Sequence, residues 1–411
     1  MVPEEGIPTM PLLRTRLTTL LVMSLFGLGT CVSDTDVTDV PGGADVTRTE
    51  AARPEATRPE APRAAPSLTE RPPASSQPSH TSAVLPLLVS DGRAPGAALV
   101  SRTLSSSRFE SAGSGIRRTD RFRAGSTTKT LVATVVLQLA AEGRLRLSDT
   151  VEHHLPGLVR GHGNNGRLLT LRMLLSHTSG LYDYTAAVSA PAPTTPRAAL
   201  RIALTRAPAP LGSYRYSNTD YVLLGLVVKK VTGRSYADEA RDRIIVPLGL
   251  TGTSFPGDRT TLPSPHGRAY TRDPDSGGAR RDVTELDPRP AGAAGELIST
   301  LDDLDRFYSA LLGGRLLAAP QSRELLDTTA AHGAYGLGIY PQRLSCGLTV
   351  WGHNGRISGS YVRTATTADG RRTLTFRVNT DAIPDESLES IEQTLLDAEF
   401  CRSGKAPRTR P

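Results

Sequence analysis

The run Phe122-Arg123-Ala124-Gly125-Ser126-Thr127-Thr128-Lys129 stands directly before an apolar segment of helix length. Ser126 and Lys129 are three positions apart, a spacing that puts both side chains on one face of a helix. Ser126 would then occupy the first turn, where backbone N–H groups and the positive helix end favour an oxygen that is gaining negative charge. A serine hydroxyl is a poor nucleophile until a base takes its proton, and a lysine kept neutral by burial and neighbouring positive potential is such a base. An N-cap serine followed by a surface lysine has the same spacing, so these residues alone leave both readings open.

Two further groups carry chemistry. Tyr214-Arg215-Tyr216-Ser217-Asn218 follows the Pro-rich Ala207-Pro208-Ala209-Pro210 and precedes another helix-length segment. Tyr216 can relay a proton between nucleophile and leaving group, while Asn218 can donate to a substrate carbonyl and orient Lys129. A loop aromatic and an Asn cap are the plainer alternative. The third group is Trp351-Gly352-His353-Asn354-Gly355-Arg356. His353 is expected to supply local positive charge or to orient the relay, and the glycines to let substrate approach the backbone. Taken alone, this stretch also fits a turn. No coherent ligand cluster accompanies these residues, so neither a metal nor a cofactor is expected.

Strands and helices must hold the three groups together. Ala97-Ala98-Leu99-Val100 with Thr103-Leu104 reads as a strand, and Phe109 to Ile116 returns beside it through a Ser-rich turn. Leu348 to Trp351, Ser360 to Val362 and Leu374 to Val378 are three more strands, with connections short enough to be antiparallel. Leu131, Val132, Val135, Val136 and Leu139 mark a helix that Gly143 can end, and Tyr221 to Val231 marks another stopped near Gly233. Leu301, Leu304, Phe307 and Leu311 form a third, started by Ser299 or Thr300, and a last helix runs from about Glu386 to Phe400. The fold class is therefore α/β, an antiparallel sheet flanked by helices with an inserted, mainly helical region. The sheet-bearing part covers about 84–150 and 290–402, the helical part about 151–289, and a polar tail follows at 403–411.

Of the 411 residues, 38% are hydrophobic, 31 are Pro and 38 are Gly, so part of the chain belongs to no core. The net charge of +7 is diffuse: Lys occurs only at 129, 229, 230 and 405, and no basic run interleaves with aromatics as a nucleic-acid surface would require. Residues 1–31 have the layout of an export signal, with Arg14 and Arg16 ahead of an apolar stretch, and Met10 is a plausible start. Leu28-Gly29-Thr30-Cys31 is similar to a lipoprotein processing box, which offers Cys31 as a lipidation site; simple secretion is the alternative. Residues 32–83, rich in Pro, Thr and Ala, carry too little apolar surface to offset ordering and read as a spacer. A monomer that is secreted or held at the outer face of the membrane or the cell wall is the expectation.

The order and separation of the three groups resemble the serine penicillin-recognising family of D-Ala-D-Ala peptidases and serine beta-lactamases, with its S-x-x-K, Y-x-N and K/H-x-G elements. Within it the chain looks like secreted actinobacterial D-alanyl-D-alanine carboxypeptidases, near class C beta-lactamases in layout. Leu174-Leu175-Ser176-His177-Thr178-Ser179-Gly180-Leu181 and Tyr335-Gly336-Leu337-Gly338-Ile339-Tyr340 add to the resemblance, which covers about Val84 to Cys401. His177 on its own fits a loop-packing histidine.

The resemblance implies that Ser126 attacks the carbonyl of the penultimate D-Ala of a peptidoglycan stem peptide or small D-amino-acid-containing peptide, releasing terminal D-Ala and leaving an acyl-enzyme, and that beta-lactams acylate the same serine. It makes the backbone N–H groups of Ser126 and Arg356 an oxyanion hole, and it pairs Cys346 with Cys401 in a disulfide. Two departures bear on the substrate. Tyr340 stands where the peptidases carry a carboxylate-binding Arg, leaving Arg343 or Arg356 as substitutes, and Asn354 replaces a usual Thr. A serine-type D-Ala-D-Ala carboxypeptidase is the leading expectation; a related serine esterase, D-amino-acid amidase or class C-like beta-lactamase is the alternative.

Overall fold

The computed structural model describes residues 80–187, 192, 194–273 and 277–401. The export segment with Cys31, the spacer up to residue 79 and the tail at 403–411 lie outside the described residues. The described residues begin inside the stretch expected as spacer: a short helix, His80–Val84, buries Thr81, whose hydroxyl accepts from Arg108 Nη2 at 2.7 Å.

Both ends of the described chain build one antiparallel sheet. Its strands are β1 (Gly96–Arg102), β2 (Ser107–Gly113), β5 (Tyr340–Arg343), β6 (Thr349–Ile357), β7 (Ser360–Thr367) and β8 (Thr373–Val378), in the order β2-β1-β8-β7-β6-β5. Between them in sequence, β3 (Phe122–Arg123) and β4 (Ile298–Ser299) form a separate short pair. β1 is paired on both sides and its residues 97–100 are buried on both faces, which explains a continuous apolar run where a half-buried strand would alternate. Leu99 faces Phe376 on one side and Glu110 on the other. Thr103 and Leu104, expected within this strand, instead lie in the turn to β2, and Leu104 is exposed.

Helices cover both faces. On one, α1 (Thr128–Ala141) and α4 (Leu301–Leu312) join a core that includes Val100 and Val362. On the other, α5 (Asp385–Phe400) packs Leu388, Leu395 and Leu396 against Leu99, Val350 and Phe376. α1 is buried nearly all round, Lys129 included, as suits a helix between the sheet and the inserted helices. Within the insertion, α2 (Leu171–Leu175) and α3 (Asn218–Thr232) join the same core, and Gly233 ends α3 in the left-handed conformation at φ 78°. The α4 start is Thr300, whose side chain accepts from Asp303 N.

A disulfide joins Cys346, in the turn before β6, to Cys401 at the end of α5, with Cα atoms 5.7 Å apart. Among the described residues no helix is long and apolar enough to cross a membrane.

Candidate active site

The nucleophile turn is fixed from both sides. β3 pairs with β4, and Ala124 N donates to Leu297 O at 2.7 Å. The chain then turns at Gly125, whose φ of 54° favours glycine. Thr127 and Thr128 hydroxyls donate back to Ala124 O and Gly125 O at 3.0 and 2.7 Å, and Leu297 N donates to Thr128 Oγ1 at 3.0 Å. Ser126 therefore sits half-buried in a 3₁₀ turn, Gly125–Thr127, just ahead of α1 and not in its first α-helical turn.

Lys129 is fully buried and makes three polar contacts. Its Nζ lies 3.0 Å from Ser126 Oγ, 2.8 Å from Asn218 Oδ1 and 2.7 Å from Ala294 O. A neutral amine has two hydrogens and one lone pair. Two carbonyl oxygens take the hydrogens, and the lone pair is left for the serine proton. Burial pushes the Lys129 pKa down to about 7, against the opposing pull of Asp183 and Asp220. The reading as a surface lysine is thereby excluded.

Tyr216 closes the other side of the serine. Its phenol is hydrogen-bonded to Ser126 and its ring lies 4.8 Å from Lys129 Nζ. Burial holds this phenol well above its ordinary pKa, with Asp183 adding to the effect, so it is a protonated donor at neutral pH. Behind it stands fully buried His177, ring centre 4.3 Å from that of Tyr216, with Nδ1 2.9 Å from Asp220 Oδ2. His177 packs the loop and backs Tyr216.

Asn218 has one expected role and lacks the other. Its oxygen orients Lys129, but Nδ2 donates to Asp183 Oδ2 at 3.0 Å and to Thr185 Oγ1 at 3.2 Å, so the amide is engaged within the protein. Asp183 went unnoticed in the sequence because nothing in its spacing joins it to the three groups. Its one signal is an acidic residue between two tyrosines, directly after the Ser176–Leu181 run.

The His353 segment lies inside β6, where it is a strand and not a turn. The positive charge expected from His353 is absent: burial, then repulsion from Lys129, pushes its pKa down to about 3. Nδ1 contacts Asn354 O at 2.5 Å and therefore carries the hydrogen, which leaves Nε2 to accept from Tyr335 Oη at 2.7 Å. Its ring centre is 6.4 Å from that of Tyr216, so it shapes the wall beside the relay through packing. The glycines also serve otherwise than expected. A Cβ on Gly355 would lie 1.9 Å from Ala124 O, and one on Gly352 would lie 1.8 Å from Thr364 O. The protein's own backbone, not substrate, fills those spaces.

That approach brings together the two backbone nitrogens expected to form an oxyanion hole. β5 pairs with β6 only over Thr349 to Gly352, and beyond it the edge of β6 runs against the nucleophile turn. Ser126 N would be 3.1 Å from a Cβ on Gly355, and Arg356 N 2.9 Å from a Cβ on Gly125. The two backbone nitrogens thus flank one narrow gap. Asn354 is half-buried on β6, in register with Arg363.

The arginines sort differently from the expectation. Arg356 Nη1 binds Asp385 Oδ1 at 2.8 Å, and Arg343 is exposed at the end of β5. Arg363, which the sequence did not single out, is fully buried; it reaches under β6 where Gly352 has no side chain and lies 4.5 Å over the Tyr340 ring. It donates to Glu392 Oε1 and Gln342 Oε1, both at 3.0 Å. Among the described residues, Asp149, His153 and His154 are grouped closely enough to hold a metal ion; this group shares no residue with the serine site.

The Beta-lactamase family model matches residues 51–387. A D-stereospecific amidohydrolase from Streptomyces sp. is 40% identical, with a TM-score of 0.72, covering 80% of this chain and 99% of its own. A D-amino acid amidase from Ochrobactrum anthropi shares the fold at 23% identity, TM-score 0.68, over 78% of this chain and 98% of its own. Penicillin-binding protein 4 of Amycolatopsis lactamdurans is 31% identical over 59% of this chain and 68% of its own length. PbpX of Bacillus subtilis, described as penicillin-binding, is 29% identical, and the match spans only about half of each chain, 53% and 53%. With a family model spanning most of its length and the serine, lysine and tyrosine gathered at one turn, the chain belongs to the beta-lactamase family, within the superfamily of serine beta-lactamases and penicillin-binding proteins.

Proposed function

We propose that the chain is a serine amidohydrolase acting on the carbonyl of a D-amino-acid residue, releasing ammonia or an amine from a D-amino-acid amide or short peptide. The observation that carries this reading is the placement of the arginines: Arg356 is paired with Asp385, Arg363 is enclosed by Glu392, Gln342 and Tyr340, and Arg343 lies opposite Thr349, six residues along β6 from Gly355. A substrate that ends in a neutral amide needs no carboxylate anchor, whereas a D-Ala-D-Ala peptide does. The 40% identity to a D-stereospecific amidohydrolase supports the same choice.

In the proposed reaction, neutral Lys129 takes the Ser126 proton as Oγ bonds to the substrate carbon. The carbonyl oxygen gains its negative charge between Ser126 N and Arg356 N, a location where loss of one donor typically costs about 3 kcal/mol of barrier. Tyr216 gives its proton to the leaving nitrogen as the C–N bond breaks, and protonated Lys129 restores it. Water then gives a proton to Lys129 and adds to the ester carbon, and the C–Oγ bond breaks as that proton returns to Ser126, leaving the free acid. Half-buried Tyr214 and Tyr340, whose ring centres lie 5.9 and 6.2 Å from that of the buried Tyr335, offer an aromatic surface suited to an apolar substrate side chain.

D-Ala-D-Ala carboxypeptidase activity is the second reading, favoured by the 31% match to a penicillin-binding protein. Rates of ammonia release from D-phenylalanine amide and of D-Ala release from a blocked Lys-D-Ala-D-Ala peptide, for wild type and Ser126→Ala, separate the two. Amide turnover that Ser126→Ala abolishes, at well above the peptide rate, is the expected result. D-Ala release without amide turnover would give the site to the second reading, and turnover unchanged by Ser126→Ala would reject the nucleophile.

A further inference from the structure

Behind the nucleophile turn lies a small cavity whose walls include Phe122, Arg123, Gly267, Ser358, Ser360 and Arg377. Arg123 is on β3, three residues before Ser126, and Ser360 opens β7 just after the turn that follows Arg356. The cavity therefore touches both segments that approach each other at Gly125 and Gly355.

The buried unpartnered atoms of its walls are mostly donors. Arg123, Arg377 and Ser360 are only 4%, 3% and 2% exposed. Arg123 donates from Nη2 to Thr260 O, while its Nε and Nη1 are buried with no protein partner. Arg377 has its guanidinium 4.3 Å over the Phe122 ring, and its Nε is likewise buried and unpartnered, as is Ser360 Oγ. The two carboxylates whose charge reaches these arginines are engaged elsewhere: Asp120 accepts from Arg117 N and Nε at 3.0 and 2.8 Å, and Asp287 accepts from Arg289. Burial pushes both guanidiniums down to about 10, the direction expected of cations short of a counter-charge.

The space is of the size of one water or one small ion, too little for a phosphate or a metabolite. A water molecule there could accept from two of these donors, but it would leave two buried positive charges without a counter-charge. A monoatomic anion accepts from all of them and offsets the buried charge. We infer that this cavity is a halide site, in which one chloride-sized anion is held by Arg123 and Arg377 with the Ser360 hydroxyl. Bound there, the anion joins β3 to β7 and β8 and steadies the gap between Ser126 N and Arg356 N from behind.

Bromide is the probe. Crystals of the protein soaked in sodium bromide are expected to show an anomalous peak in this cavity, in contact with Arg123 and Arg377; bromide peaks at the surface with none here would overturn the inference. In solution, chloride or bromide at constant ionic strength made up with gluconate is expected to raise the melting temperature saturably, by about 2 °C or more, because a ligand that binds only the folded state stabilises it. Equal melting temperatures in chloride and gluconate would overturn it. Arg377→Met is expected to abolish the chloride dependence; if that variant does not fold, the wild-type titration and the bromide map decide alone.

Discussion

Lys129 Nζ is 3.0 Å from Ser126 Oγ while two carbonyl oxygens, Asn218 Oδ1 and Ala294 O, occupy its other directions. As an ammonium, Lys129 donates to all three oxygens; as the neutral amine it donates to the two carbonyls and turns its lone pair toward the serine. With the Lys129 pKa pushed down to about 7, kcat/KM is expected to fall as pH drops through that value, since the protonated amine cannot take the serine proton. Lys129→Arg, charged throughout, is expected to lose about 10²–10⁴-fold. A pH–rate profile flat from 8 to 5 would contradict the assignment.

Asp183 tunes that limb. Its charge raises the Lys129 pKa, opposing burial, and its carboxylate holds the Asn218 amide. Asp183→Asn removes the charge and keeps an acceptor, so the Lys129 pKa should fall further and the acid limb of the profile should move to lower pH. A move to higher pH would show that Asp183 acts some other way.

Gly355 admits no side chain, because a Cβ there would lie 1.9 Å from Ala124 O. Gly355→Ala is expected to push β6 from the nucleophile turn and lower kcat about 10²–10³-fold, the typical loss for a missing oxyanion donor, with a smaller change in KM. Steady-state kinetics check this, and near-wild-type kcat would mean that the gap does not hold the oxyanion.

These relationships mark how far the sequence could be followed. Ser126 and Lys129 were legible because local spacing fixes their separation, Tyr216 because its Tyr-x-Asn element follows them in the order the resemblance requires, and α1 and α3 because apolar periodicity ends at Gly143 and Gly233. Asp183 and Arg363 were not, since each meets its partner only through tertiary packing. The neutrality of His353 was hidden for the same reason: a histidine's charge depends on burial and on Lys129, which lies 224 residues earlier (353 − 129). The glycines of β6 were placed correctly as sites of close approach, but the sequence could not say that the approaching group is the protein itself.

Arg363 and Glu392 form a buried ion pair at 3.0 Å, with the guanidinium stacked on Tyr340. Arg363→Met alone leaves Glu392 without its cation and is expected to cost about 3–5 kcal/mol, whereas pairing it with Glu392→Leu should recover most of the loss. Urea unfolding of the three variants checks this, and equal stability of single and double variants would refute it.

The Cys346–Cys401 bond closes a span of 55 residues that contains β6, β7 and β8. Its reduction, or Cys401→Ser, is expected to lower unfolding free energy by up to about 4 kcal/mol through the larger unfolded ensemble. Denaturation with and without reductant measures it, and coincident curves would show that the bond adds nothing.

The joining of β1 to β8 has a consequence for the order of assembly. Gly96 N donates to Asn379 Oδ1 across 283 positions, and the wall that faces Ser126 comes from β6, more than 200 residues after the nucleophile turn. A growing chain can form α1 and the serine–lysine pair early, yet it has no opposite wall until its last strands emerge. Contacts so distant in sequence slow folding. Nascent and C-terminally shortened chains therefore carry the nucleophile without the means to use it, and hydrolytic competence arrives only with the completed polypeptide.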